Sequence, residues 1–130
     1  MKTFEQTVKD YILEDPGYPL EAYEFVRDGL RYTNENPPQE IADDKYARER
    51  AAGSPILSAR SLCFGLRDFA LDEFGPMALF TLSKWNINST TDFGALVANL
   101  VKMGILLQDR RDSIKEFDNV FDFQKELGLY

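Results

Sequence analysis

Residues 89–107 read Ser-Thr-Thr-Asp-Phe-Gly-Ala-Leu-Val-Ala-Asn-Leu-Val-Lys-Met-Gly-Ile-Leu-Leu, a helical pattern followed by a short apolar run. Ser89 and Asp92 stand three positions apart, the spacing of a capping box that opens a helix. Apolar side chains then cover more than half of the helical circumference up to Met103, and Gly104 is a residue type that commonly ends a helix. The pattern predicts a well-buried helix over 89–103 and a strand that begins at Ile105.

The same periodicity predicts four further helices upstream, over residues 3–14, 19–33, 58–73 and 76–84. Ser58 is expected to cap the third of these helices. Met77 and Phe80 are expected to face inward from the fourth. Residues 39–52 permit a helix but have almost no apolar face, so they predict either a marginal helix or a mobile linker.

The C-terminal part predicts a β-hairpin. Ile105–Leu107 continues from the helix as a strand, residues 108–113 form a polar turn, and residues 117–123 return with Phe121 and Phe123 on one face. Three helices followed by a hairpin is the element order of a winged-helix module.

The predicted fold class is therefore mainly α (α+β), with about five helices, a C-terminal β-hairpin and a winged-helix-like arrangement over residues 58–123. A length of 130 residues suits a single domain, 1–130. Within it we expect an N-terminal helical pair (1–33), a linker or marginal helix (34–57) and a winged-helix-like part (58–130).

The predicted third helix of that part is poorly equipped to read nucleic acid. Helix 89–103 offers only Asp92, Asn99 and Lys102 as polar side chains of any length, whereas base reading uses Arg, Lys, Asn or Gln at the groove. The net charge of −7 also opposes affinity for phosphate backbones and anionic membranes. We therefore expect neither a specific nucleic acid nor a membrane as partner.

A second route to nucleic acid is the tip of the predicted hairpin. Arg110 and Arg111 lie there, where a wing contacts the phosphate backbone in DNA-binding proteins. Asp109 and Asp112 flank them and cancel most of their field. A polar turn is the interpretation that we favour for this segment.

The residue content excludes several kinds of chemistry. The chain has no histidine, which removes Ser-His-Asp and Cys-His catalysis and His-ligated zinc, and its one cysteine, Cys63, forms neither an internal disulfide nor a thiolate cluster. Cys63 lies on an apolar helix face and is expected to be a buried, inert thiol. No cofactor is expected. A cytoplasmic location is expected, because the N-terminus lacks a signal peptide, no apolar run reaches the length of a membrane span, and a single cysteine fits a reducing compartment.

Carboxylates are the groups left for catalysis. They occur together at Asp43-Asp44, at Asp68/Asp72/Glu73 and at Asp109/Asp112. All three groups lie in segments interleaved with Lys or Arg, so a solvated surface is the simpler interpretation.

Motifs spread over about residues 10–125 form a fairly specific combination: Tyr18–Val26, Glu73–Ala78, Trp85–Ile87, Thr91–Gly94, Asn99–Val101, Gly104–Leu107 and Val120–Phe123. Together they resemble an uncharacterised family of short bacterial proteins found in planctomycete and verrucomicrobial genomes. The resemblance implies the extent of the domain. It implies no activity, because that family has none assigned.

Three functional classes remain: a protein–protein interaction module that binds a protein partner or forms a homo-oligomer, a nucleic-acid-binding regulator that uses the hairpin, and an enzyme that uses carboxylates alone. We favour the first, because the chain is rich in aromatic residues. Phe64 and Leu71 lie seven residues apart on a second apolar side of helix 58–73. That side is either sandwiched between two layers or exposed to a partner. Phe64, Leu71, Arg110 and Arg111 are therefore the candidate interaction residues.

Overall fold

A computed structural model describes residues 1–41, 58–106 and 114–128, and in these ranges the chain is mainly helical, as predicted. The α-helices are α1 (Phe4–Glu14), α2 (Leu20–Glu35), α3 (Ala59–Phe74), α4 (Ala78–Lys84), α5 (Thr90–Lys102) and α6 (Phe123–Leu127). Short 3₁₀ turns occupy Gln39–Ile41, Gly75–Met77 and Ile114–Phe117. Of the segment 34–57 that was predicted as a linker or marginal helix, residues 42–57 lie outside the described residues.

Side-chain caps fix where the helices begin. Thr3 Oγ1 accepts a hydrogen bond from the Gln6 amide at 3.1 Å, and Gln6 Oε1 accepts one from the Thr3 amide at 3.1 Å, which opens α1 with a full capping box. Ser58 Oγ accepts from the Ser61 amide at 3.1 Å and caps α3, as predicted. Asp92 Oδ2 accepts from the Ser89 amide at 3.1 Å, the carboxylate half of the cap predicted for α5.

Helices α2 and α3 form the centre of the molecule and run antiparallel. Phe25, near the start of α2, stacks on Phe74 at the end of α3, with ring centroids 6.1 Å apart. Gly65, near the start of α3, lies against Thr33, near the end of α2. The two backbones approach so closely that a Cβ on Gly65 would lie 2.0 Å from Thr33 Oγ1. Gly65 is therefore required by the packing of this helix pair.

Helices α1 and α5 complete the bundle, and both contact α2. The Arg27 guanidinium lies 4.5 Å from the Phe4 ring centroid, and the Tyr11 and Tyr23 rings lie 6.5 Å apart, so α1 runs antiparallel to α2. Helix α5 buries Phe93, Leu96 and Leu100 in the shared core, as expected of the most apolar helix in the sequence. Because α1 and α3 both run antiparallel to α2, their C-terminal ends lie at the same end of the bundle as the start of α2.

The predicted C-terminal β-hairpin, and with it the winged-helix interpretation of residues 58–123, is not supported, because no strand occurs in the described ranges. Ile105 and Leu106 turn back on α5, and both amides donate to the Leu100 carbonyl, at 3.0 and 3.3 Å. Phe117 ends a 3₁₀ turn, and Phe123 begins α6.

Segment 117–123, with its alternating apolar residues, forms a tight turn instead of a strand. Asn119 has a left-handed φ of 53°, which breaks the extended path. Phe121 then stacks on Phe64 with ring centroids 5.2 Å apart, and Phe123 lies 5.4 Å from Phe93. Both rings therefore anchor to helices, so no partner strand is needed to bury them.

Candidate interaction surface

Three large apolar side chains are exposed where α3 passes into α4. Leu71 is 39% exposed, Met77 52% and Phe80 57%. Leu71 lies in the last turn of α3, Met77 closes the 3₁₀ turn, and Phe80 lies three residues further on α4. We call these three side chains the α3–α4 patch. They lie on three successive elements of the chain, and exposed apolar side chains that group together are characteristic of sites that contact another molecule.

The local sequence accounts for the exposure of this patch. Gly75 ends α3 with a left-handed φ of 52°, and α4 begins only at Ala78. Ala78 and Leu82, four residues apart and fully buried, occupy the inner face of α4. Phe80 is two residues from each and therefore lies on the opposite side of the helix. The prediction that Met77 and Phe80 face inward is therefore wrong: Phe80 lies on the outer side of α4, and Met77 is exposed at the end of the 3₁₀ turn that precedes this helix.

The loop that follows α4 joins this region to the start of α2. Trp85 caps the C-terminus of α4 and packs against Phe74 and Phe25, with ring centroids 5.7 and 6.2 Å apart. Asn86, with a positive φ of 65°, donates from Nδ2 to the Gly17 carbonyl at 3.2 Å. The α1–α2 loop and the α4–α5 loop therefore meet at one end of the bundle, which we call the acidic end.

The charges at the acidic end are mostly negative. Asp72 and Glu73 are exposed in the last turn of α3, which contains no basic side chain. Glu14 and Asp15, both exposed, stand where α1 ends, beside Leu13. Among the described residues, Lys84 is a cation at this end, and its Nζ lies 5.7 Å from the Phe80 ring centroid.

The structure separates the four residues that the sequence marked as candidates. Phe64 is buried beneath Phe121, whereas Leu71, seven residues later, belongs to the exposed patch. Arg110 and Arg111 lie outside the described residues. The second apolar side of α3 is thus covered by the C-terminal segment at one end and is open to solvent at the other.

A partly buried ionic cluster centred on Arg67 was not visible in the sequence. The Arg67 side chain is only 13% exposed, and its guanidinium contacts Glu40 at 2.8 Å, Asp68 at 2.7 Å and Glu126 at 2.9 Å. It also lies 4.9 Å from the Phe64 ring centroid. The Arg67 hydrogen bond holds the pKa of Glu40 below its usual value, against the opposing effect of burial. This cluster ties the 3₁₀ turn at Gln39–Ile41 and helix α6 to α3.

The polar side chains expected at a groove-reading face of α5 are engaged inside the molecule. Asn99 accepts a hydrogen bond from Tyr11 Oη at 2.9 Å and donates to Tyr23 Oη at 3.1 Å. Asp92 accepts from Tyr18 Oη at 2.6 Å. Burial, followed by this hydrogen bond, raises the pKa of Tyr18. Of the three side chains considered in the sequence, only Lys102 is exposed.

Within residues 1–41, 58–106 and 114–128, the structure also shows the surroundings of the possible metal ligands, of the thiol and of one surface depression. No group of three or more His, Cys, Asp or Glu residues is placed to hold a metal ion there. Cys63 is fully buried, and burial raises the pKa of its thiol, which disfavours the thiolate. An open depression of about 490 Å³ lies beside Arg67 and Tyr32, but Arg67 is already paired with carboxylates.

Comparison of the chain with protein-family models, with curated proteins and with solved structures gives no match. The resemblance to the planctomycete and verrucomicrobial family therefore stays a prediction. Among the described residues, no helix combines the length and apolar character required to cross a bilayer.

Proposed function

We propose that this chain is a protein–protein interaction module and that the α3–α4 patch is its contact surface. The observation that carries the proposal is the exposure of Leu71, Met77 and Phe80 on consecutive turns of one short region. Burying a large apolar side chain completely is worth about 1.5–3 kcal/mol. If a partner buries the exposed parts of these three side chains, they contribute several kcal/mol to the free energy of binding.

The geometry of the patch is suited to recognition. Aromatic and methionine side chains are enriched at protein interfaces, and a few such anchors carry most of the binding energy. The backbone beneath the patch is held by the buried Ala78 and Leu82 and by the aromatic contacts of Trp85. A partner thus meets side chains on a fixed backbone and loses little free energy in ordering them.

The test uses selection from a displayed random peptide library on the immobilised protein. Peptides that bind the wild-type chain are then measured by fluorescence anisotropy against Met77→Ser and Phe80→Ser. The matched control is Ile114→Ser, which removes a side chain that is 50% exposed, close to the 52% of Met77. All three variants are expected to keep the urea midpoint of the wild type, because surface substitutions rarely change stability by more than about 0.5 kcal/mol.

Peptides should bind the Phe80→Ser variant at least about tenfold more weakly than wild type, since loss of a central anchor residue costs about 2 kcal/mol or more. Ile114→Ser should bind as the wild type does. If no peptide is enriched, or if enriched peptides bind Phe80→Ser and Met77→Ser as well as wild type, the patch is not the contact surface and the proposal is overturned.

A further inference from the structure

Building on the proposed function, we infer that the partner of the α3–α4 patch is a cationic amphipathic segment of another protein. Such a segment places apolar side chains on Leu71, Met77 and Phe80 and places Lys or Arg side chains against the carboxylates of the acidic end. The inference rests on the negative charges that adjoin the patch and on the absence, among the described residues, of an ion pair at Asp72 or Glu73.

Asp72 and Glu73 directly follow Leu71 in the last turn of α3, and both are exposed. Within the described part of the chain, neither carboxylate forms an ion pair. Both stand near the negative end of the α3 dipole, where a negative charge is unfavourable and a positive one is stabilised. A cation on the partner pairs with these carboxylates and offsets their unfavourable interaction with the helix dipole. Both carboxylates lie within one helix diameter, about 10 Å, of Leu71.

Other charged side chains around the patch are also mostly negative. At the acidic end, Glu14, Asp15 and Glu21 are exposed alongside Asp72 and Glu73, and of the cations in the described ranges Lys84 lies against the patch. The ammonium of Lys84 is placed over the Phe80 ring. Charges of one sign around an apolar centre steer and select a partner of the opposite sign.

The same charges argue against two other occupants. A second copy of this chain, docked through a two-fold contact, sets the acidic end against itself and places like charges together. An anionic lipid surface or a nucleic acid meets the same repulsion, and the whole chain adds a net charge of −7. A basic protein segment is the occupant whose charge complements the patch.

The test uses three labelled synthetic peptides of about 14 residues, near the length of an average protein helix. One has an apolar face of Leu at helical spacing and Lys elsewhere, the second has the same apolar face with Glu in place of Lys, and the third has the composition of the first in scrambled order. Binding to the full chain is measured by anisotropy at about 50 mM and about 300 mM sodium chloride, where screening differs strongly.

The Lys peptide should bind at least about tenfold more tightly than the Glu peptide and the scrambled peptide, and salt should weaken its binding. Asp72→Asn/Glu73→Gln should weaken it by about threefold, because the peptide then loses two exposed ion pairs. The charge-matched control Glu5→Gln/Glu35→Gln removes two exposed carboxylates at the opposite end of the bundle and should leave binding within about twofold.

The possible failures are distinguishable. If the Glu peptide binds equally well and Phe80→Ser abolishes both, the patch is a contact surface but its partner is not cationic, so this inference fails while the proposed function stands. If sedimentation shows a dimer that Phe80→Ser dissociates, a second copy covers the patch and this inference again fails alone. If the Lys peptide binds without any effect of Phe80→Ser, both proposals fail.

Discussion

Glu40 and Arg67 connect parts of the chain that are far apart in sequence. Arg67 pairs with Glu40, 27 residues before it, and with Glu126, 59 residues after it. The Arg67 side chain is largely removed from water. A cation in that position is stable only while its carboxylate partners remain ionised. The stability of the fold should therefore depend on pH through this cluster.

We expect the Glu40–Arg67 contact to stabilise the protein at neutral pH and to be lost in acid. The folded pKa of Glu40 lies below its ordinary value of 4.5, so its contribution is fully present above about pH 4.5 and disappears as pH falls through the lowered pKa. Glu40→Gln should thus have a lower urea midpoint than wild type at pH 7. The two midpoints should converge as the pH falls through the lowered pKa of Glu40.

The control for this prediction is Glu35→Gln, which removes a nearby exposed carboxylate at the end of α2. Its urea midpoint at pH 7 should match that of wild type to within the effect of an ordinary surface substitution. A Glu40→Gln variant with the same midpoint as wild type at pH 7 would show that the Glu40–Arg67 contact adds nothing to stability.

Sequence reasoning had no means of identifying Arg67. Its helical neighbours predict a solvated face with local ion pairs, and only the i, i+1 partner Asp68 is near in sequence. Glu40 and Glu126 reach it because the 3₁₀ turn and α6 fold back onto α3. Such tertiary contacts leave no local signal of periodicity or spacing.

At the scale of elements, the α2–α3 crossing depends on Gly65. A methyl group there would lie 2.0 Å from Thr33 Oγ1 and 2.4 Å from Thr33 Cγ2, and Thr33 is held by a 2.7 Å hydrogen bond to the Gly29 carbonyl. Gly65→Ala gains about 1 kcal/mol of helix propensity but incurs overpacking of about 1–3 kcal/mol. We expect net destabilisation of up to about 2 kcal/mol, measured by urea unfolding.

Two variants make that prediction specific. Gly65→Ala should be better tolerated in a Thr33→Ala background, because the clashing atoms are then absent. Gly17→Ala should be nearly neutral, since a Cβ there comes no closer than 3.8 Å to Asp15 Oδ1. Equal effects of Gly65→Ala in both backgrounds would mean that the helices do not pack as closely as the structure shows.

The elements differ in how far sequence could predict them. Long periodic segments with caps, such as α1 and α5, begin and end within a residue or two of the prediction because local hydrogen bonds and burial agree there. In segment 117–123, apolar and polar residues alternate over a short run. Such a run is equally compatible with a strand and with a turn whose two aromatic side chains pack on neighbouring helices. The contacts of Phe121 and Phe123 with α3 and α5, which decide between them, are tertiary.

For the whole molecule, we expect no sequence-specific DNA binding and a non-specific Kd weaker than about 10⁻⁴ M at physiological salt. The net charge is −7, and Asp92 and Asn99 of α5 are occupied by tyrosine hydroxyls. Anisotropy titrations with labelled double-stranded and single-stranded oligonucleotides at two salt concentrations measure this. Sub-micromolar binding that is abolished by Arg110→Ala/Arg111→Ala would contradict the prediction and would favour the nucleic-acid-binding alternative.

The candidate surface was only partly visible from sequence. Leu71 was identified because it lies outside the main apolar face of α3. Phe64, chosen by the same reasoning, is covered by Phe121, a contact that no local pattern indicates. Met77 and Phe80 were assigned to the core, because periodicity marks apolar side chains without showing which of two faces of a short helix meets the protein.

The position of Trp85 gives the protein a built-in optical reporter. It is the one tryptophan in the sequence, and its indole lies edge-on to Phe74, directly beyond the helix that presents Phe80. Its fluorescence emission therefore reports on the acidic end, whereas far-ultraviolet circular dichroism reports on all of the helices together. Denaturation curves followed by the two signals will superimpose if the molecule unfolds as one unit, and will separate if this end opens first.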